Sequence, residues 1–113
     1  MPYDEALANR VREALGGRRR LEEKRMFGGL TFMLRGKMCV SVGKDRIMCR
    51  IDPAIHDAAL RRKGCRTVVM QGHAYRGFVH VSAEALQTRG NLDYWVGLAL
   101  DYNQSAKSKQ RNR

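Results

Sequence analysis

Apolar residues alternate with polar ones along most of residues 21–51, and a glycine punctuates the pattern each time it restarts. Leu30, Phe32 and Leu34 alternate, then Met38, Val40 and Val42, then Ile47, Cys49 and Ile51. That period of two predicts strands over 30–34, 38–42 and 47–51, with a half-exposed strand over 21–26 ahead of a Phe27-Gly28-Gly29 corner. A three-residue loop, Arg35-Gly36-Lys37, would pair Leu34 with Met38 and Phe32 with Val40 and keep both apolar sets on one face. An even loop over 43–46 pairs Val42 with Ile47 and Val40 with Cys49. This register points Cys49 into the core and Cys39 to the other face, beside Arg50. Two further strands follow over 66–70 and 78–81, with Gly72 and Gly77 placed in the loop between them.

Three segments have helical spacing instead. Over residues 3–15, Leu7, Val11, Ala14 and Leu15 form one stripe, Asp4 and Glu5 suit the helix start, and Gly16-Gly17 ends it. Asp52-Pro53 opens a second helix over 53–62, since aspartate is a good N-cap and proline is favoured in the first helical position. Ser82 caps a short turn over 83–87. Asn91 then caps a last helix, whose face is Leu92, Trp95, Val96, Ala99 and Leu100, with Trp95 the anchor on the sheet. The elements add up to an α+β fold: an antiparallel β-meander sheet with flanking helices. The chain divides into one domain over 1–102 and a basic tail over 103–113, too polar to offset the cost of ordering.

Composition narrows the function classes. The 113 residues suit one domain, and no apolar run approaches the roughly 18 residues of a membrane span. The opening Met1-Pro2-Tyr3-Asp4-Glu5 is acidic, unlike a signal peptide, and Cys39, Cys49 and Cys65 form no close pair, so reduced thiols and a cytoplasmic location are expected. The net charge is +11, from 22 Lys and Arg against 11 Asp and Glu. Lys107, Lys109, Arg111 and Arg113 account for four of those charges, and the remaining +7 still favours polyanions.

Arg25-Met26-Phe27-Gly28-Gly29, then Phe32, Gly36-Lys37-Met38 and the strand to Ile51, together with Leu92, Trp95 and Val96, resemble the N-terminal domain of the TfoX/Sxy family over about residues 3–102. The resemblance implies a secretion-chaperone-like α+β domain with helices packed on an antiparallel sheet. Two-domain members of that family regulate natural competence together with a cyclic-AMP-responsive activator at promoters. This sequence stops where their second, helical domain would begin, and it has Leu30-Thr31-Phe32 where many members place another glycine. What carries over is the fold and a regulatory role. No catalytic residue does, because the family motif offers none.

Each candidate chemistry has a plainer reading beside it. Gly29 and Gly36 enclose too many residues for a phosphate-binding loop, and Met38 follows Lys37 where such a loop needs Ser or Thr, so these glycines are turn residues and no cofactor is expected. His56, His73 and His80, even with the cysteines, show no zinc-ligand spacing, so no metal is expected. Cys65 lies between Lys63-Gly64 and Arg66, where a thiolate would be favoured, but it also suits a strand start. Nucleic-acid binding has the strongest compositional support: Arg18, Arg19, Arg20, Lys24 and Arg25 form one cluster, and Arg61, Arg62, Lys63 and Arg66 another. Tyr75 and Phe78 near Arg76 would stack on bases, although Phe78 suits the core. Met33, Cys39 and Met48, on the face opposite the first core, invite cover by helices or by a second copy in a homodimer. The expected function is a small non-enzymatic regulatory or adaptor module that docks a protein partner through its sheet or terminal helix, with no membrane partner. The alternative is a nucleic-acid-binding module using Arg18, Arg19, Arg20, Lys24 and Arg25.

Overall fold

A computed structural model describes residues 3–106. Helix α1 (Glu5–Leu15) begins where the Asp4 carboxylate accepts the Leu7 N–H at 3.1 Å, and it ends at Gly16, whose φ of 70° is left-handed. Leu7, Ala8, Val11 and Leu15 are its buried stripe. The strands are β1 (Leu21–Met26), β2 (Gly29–Leu34), β3 (Lys37–Val42), β4 (Arg46–Arg50), β5 (Cys65–Met70) and β6 (His73–Ser82). They form one six-stranded antiparallel sheet in the order β1-β2-β3-β4-β6-β5. The meander therefore runs through β4. The segment after β4 carries the chain past the next position, so that β6 fills it and β5 becomes the edge.

That segment is a 3-10 turn (Pro53–Ile55) followed by a short helix α2 (His56–Leu60), where the sequence suggests one helix over 53–62. Asp52 caps it as expected, accepting the Ala54 N–H at 2.9 Å. Ser82 leads into a second 3-10 turn (Ala83–Leu86), but its hydroxyl makes no capping bond. Helix α3 (Arg89–Ser105) is capped by Thr88, which accepts the Asn91 N–H at 3.1 Å, so Asn91 is a donor to the cap and not the cap itself. None of the described helices is long and apolar enough to cross a membrane.

The main core lies between α1, α3 and one face of the sheet. Phe32, Val40, Val42, Ile47, Cys49, Ile51, Val79 and Val81 meet Val11, Leu15, Leu92, Trp95, Val96 and Ala99 there. The pairings of Phe32 with Val40, Val40 with Cys49 and Val42 with Ile47 are those the alternation predicts.

The β2–β3 turn differs from expectation. Leu34 pairs with Lys37 and Met33 with Met38, and the register shifts before Phe32 meets Val40. The turn is therefore two residues long, Arg35-Gly36, with φ of 57° and 77°, and Cys39 is the extra residue of a bulge. Both φ values are positive, as in the turns whose twist matches that of the flanking strands, and one bulged residue restores the parity that buries Val40 and Val42. Two side chains change faces as a result. Cys39 joins the main core instead of facing Arg50, and Met38 moves to the opposite face.

The same shift turns Lys37 toward α3. Its Nζ donates to the carbonyl oxygens of Asn103 at 2.9 Å and Ala106 at 2.6 Å, satisfying helix-end acceptors. Asn103 is only 2% exposed, and its Nδ2 donates to the Leu34 carbonyl at 3.3 Å. Asn103 and Ala106 are therefore buried at the end of α3, while Gln104 and Ser105 between them are exposed; the expected tail begins at residue 103. Residues 107–113, the rest of the expected tail, lie outside the described residues.

Candidate docking groove on the open sheet face

Successive strand residues point to opposite faces, so whatever does not meet α1 and α3 lines the other face. Met38, Met48 and Val68 are buried there, with Met33 and Phe78 packed against them. Two buried hydroxyls sit among them: the Thr31 and Ser41 oxygens lie 2.8 Å apart, and Thr31 Oγ1 also donates to the Met26 carbonyl at 3.2 Å. These polar atoms satisfy one another.

A bend in the β5–β6 hairpin shapes this face. Thr67 pairs with Val79, but Val68 pairs with Tyr75, leaving Arg76, Gly77 and Phe78 outside the β5–β6 ladder, although Phe78 still pairs with Arg50 of β4. Gly77 therefore lies within β6 and not in the loop. Its φ is 92°, and a Cβ there would come 3.1 Å from Pro53 and 3.2 Å from the Ile51 carbonyl oxygen. His56 holds the bend. The Gly77 N–H donates to His56 Nδ1 at 2.9 Å, and Nε2 lies 3.0 Å from Thr67 Oγ1, so a neutral ring donating from Nε2 satisfies both contacts. Beyond the bend, Val68 is buried in the methionine cluster, and Val69 and Met70 reach a cavity that Phe27 and Gly28 line from the other side. The cavity measures about 510 Å³, with Ser41 and Met48 among its lining residues. Lys44, Arg46 and His80 supply its basic groups, and Asp45 is the one acidic lining residue.

Phe27 is the unusual member of this wall. With Gly28 it forms the two-residue turn between Met26 and Gly29, at φ of 58° and 71°. A bulky side chain rarely adopts left-handed backbone, and this one is 51% exposed. Met70 is also exposed, and Val69 is 58% exposed. Sequence reading treats Phe27 as a corner residue and overlooks Val69 and Met70. A signal for Phe27 was present, because the first position of an X-Gly two-residue hairpin turn points out of the ladder.

The arginine and lysine candidates do not form one patch. The Arg35 N–H donates to the Arg20 carbonyl at 3.1 Å, which gathers exposed Arg18, Arg19, Arg20 and Arg35 at one corner of the sheet. Lys24 pairs with Thr31 and so belongs to the open face. Arg25 pairs with Leu30 and belongs to the helix face, 5.9 Å from the Tyr3 ring centre. Arg61, Arg62, Lys63 and Arg66 surround the start of β5, at the opposite edge and opposite end of the sheet. Arg62 stacks 3.8 Å from the Tyr94 ring centre and, with Lys63, Glu84, Asn91 and Trp95, lines a second cavity of about 560 Å³. Phe78 packs on the methionine cluster while Tyr75 meets it edge-on, and Arg50 lies 5.6 Å from the Phe78 ring centre.

The remaining motif residues have structural work. Gly28 and Gly36 occupy left-handed turn positions, Lys37 caps α3, and Gly29 leaves no room for a side chain, since a Cβ would lie 2.1 Å from the Val42 carbonyl oxygen.

The thiols are not activated. Burial pushes Cys39 and Cys65 up to about 11 and Cys49 well above its ordinary value, so Lys63 and Arg66 do not make Cys65 a thiolate. Among the described residues, no group of three or more His, Cys, Asp or Glu side chains is placed to hold a metal ion.

His56 and His80 are held below the usual histidine range, by burial first and then by Arg76 and Arg46 respectively. The folded state thus binds fewer protons than the unfolded chain, and its stability falls as pH drops below about 6.5. Thermal melts are expected to show a lower midpoint at pH 5 than at pH 7.5. His56 ring resonances should titrate below the free-histidine value, and titration at or above it would contradict this account.

No curated protein and no solved structure matches the chain. The family model of the TfoX N-terminal domain matches residues 13–102, a span that runs from the end of α1 almost to the end of α3. It includes the Phe27-Gly28-Gly29 corner, the Lys37 cap and the Trp95 anchor, and on that match the chain belongs to the TfoX N-terminal domain family.

Proposed function

We propose that this protein is a small, non-enzymatic regulatory adaptor that works in the cytoplasm by protein–protein contact in transcription-related regulation. The observation that carries this reading is the open sheet face, where a groove with exposed apolar walls stands beside a methionine cluster. An apolar concavity with a few charged groups at its edge is the usual form of a recognition site. The family is not a known enzyme family, which supports the same reading.

The test is site-specific photo-crosslinking in the source cell. A crosslinker at Val69 should trap one defined protein, a crosslinker at Glu13 on α1 should not, and an Arg46→Glu change should reduce the Val69 adduct. A catalytic turnover abolished by a single side-chain change would overturn the adaptor reading.

The corner formed by Arg18, Arg19, Arg20 and Arg35 favours a second reading, binding to nucleic acid. If the three consecutive arginines each contact a phosphate of duplex DNA, replacing them with alanine lowers the salt slope of log affinity by about 2.7. An unchanged slope removes this reading.

A further inference from the structure

We infer that the groove between Phe27 and the Val69–Met70 arm binds a peptide segment that presents an apolar side chain flanked by carboxylates. The inference rests on the adaptor reading and specifies its site and the chemistry of its partner.

Phe27 gives the first argument. A phenylalanine at φ 58° carries backbone strain that asparagine or glycine would relieve, and half of its surface faces solvent, so burial does not offset the strain. Strain kept on an exposed aromatic is accounted for by a contact that forms only when a partner is present. The walls and floor give the second. Val69 and Met70 face Phe27 across the cavity, and Met48 lies among the lining residues, next to Met38 and Met33. Thioether side chains adapt their shape to an apolar guest. A volume of about 510 Å³ lies within the range of ligand clefts and holds a large apolar side chain with its backbone.

Charge decides the occupant. Lys44 and Arg46 line the groove, and Arg66 lines an adjoining cavity that shares Arg46 and His80 with it. Asp45 is the single acidic residue in either lining. A carboxylate-bearing segment is complementary to this rim. A second copy of the chain is not, because each copy carries a net +11 and docking would bring like charges together. Nucleic acid fits the floor poorly: Thr31 and Ser41 already bond each other, and Val69 and Met70 offer no flat surface for base stacking.

The experiment uses the full chain labelled with 13C at its methionine methyl groups. The probe is a short peptide with a leucine–phenylalanine centre flanked by glutamates. Three controls accompany it: the same peptide with a serine centre, the same centre flanked by lysines, and a DNA duplex. The glutamate-flanked probe is expected to shift the Met48 and Met70 methyl signals and to reach saturation. The serine-centred and lysine-flanked peptides should bind weaker by about tenfold or more. Phe27→Asn should melt no lower than the parent and lose the probe. Arg46→Glu should weaken the glutamate-flanked probe and strengthen the lysine-flanked one.

If the probe binds while Met48 and Met70 stay still and Phe27→Asn binds normally, the groove assignment is overturned and the adaptor reading stands. If none of the three peptides binds and the duplex moves these methionines, both readings fall. If the same signals change with protein concentration alone and the sedimenting mass doubles, a second copy occupies the groove and the peptide inference is overturned.

Discussion

Replacing Gly29 with alanine is expected to destabilise the protein by about 3 kcal/mol or more, one of the two largest effects foreseen for a single substitution. A Cβ at this position would lie 2.1 Å from the Val42 carbonyl oxygen and 3.0 Å from the Val42 carbonyl carbon. Both atoms are backbone at the end of the ladder between β2 and β3, where Leu30 pairs with Val42, so the clash cannot be relieved by rotating a side chain. Either the β2–β3 ladder separates or the Phe27-Gly28 turn moves, and both disturb the core around Phe32 and Val42. Gly28→Ala is the informative comparison. Gly28 sits at φ 71° with open space around it, so its alanine meets only backbone strain and costs about 1 kcal/mol. Urea denaturation of the two variants separates the mechanisms. Equal losses would show that turn conformation, and not space, demands the second glycine of the motif.

Trp95→Ala should cost about 3–5 kcal/mol, a large share of the roughly 5–15 kcal/mol that holds a domain of this kind together. Trp95 is 2% exposed and belongs to the core shared by α1, α3 and the sheet. Its ring meets Tyr94 edge-on at 5.3 Å. Removing the indole leaves a cavity that neither the sheet nor the two helices can close without repacking. The midpoint of urea denaturation should fall, and near-ultraviolet circular dichroism should lose its tryptophan bands. Tyr94→Ala is the matched control. That ring is partly exposed and mainly supports Arg62, so its loss should cost about 1 kcal/mol. A Trp95→Ala loss no larger than that of Tyr94→Ala would show that α3 is not anchored through the tryptophan.

Much of this architecture can be read from local pattern, because strand and helix periods are properties of neighbouring residues. The alternation through Phe32, Val40, Val42, Ile47 and Cys49 predicts strands, their facing and three of the four residue pairings that join them, all but that of Leu34 with Met38. The stripe from Leu92 to Ala99 predicts α3 and its tryptophan anchor. Asp52-Pro53 predicts where the chain leaves the sheet. The Arg25-to-Gly29 and Gly36-Lys37 motifs predict the family, because their glycines answer to demands set within a few residues: a left-handed turn at Gly28 and Gly36, and a missing side chain at Gly29.

The candidate site was much less legible. The methionine cluster beside it depends on a single bulged residue, Cys39, which moves Met38 to the open face. A bulge shifts parity by one, and whether it occurs depends on burial summed over whole strands, which no short window contains. The far wall depends on the bend at Gly77, which reads in sequence as an ordinary loop glycine. Here the bend is held by His56, 21 positions earlier in the chain. The strand order does the same to the charges. Placing β1 and β5 at opposite edges separates two arginine-rich segments that composition alone would combine into one surface.

What the sequence by itself determined is therefore the set of elements, their apolar faces apart from Met38 and Cys39 at the bulge, and the family, since each follows from local periodicity and turn chemistry. Tertiary structure alone decided the strand order, the length of α3 and its lysine cap, and the meeting of Phe27 with Val69 and Met70 across one groove. The physical reason is distance along the chain: these contacts join residues far apart in sequence, and the burial and hydrogen bonding that select them exist only once the sheet has formed.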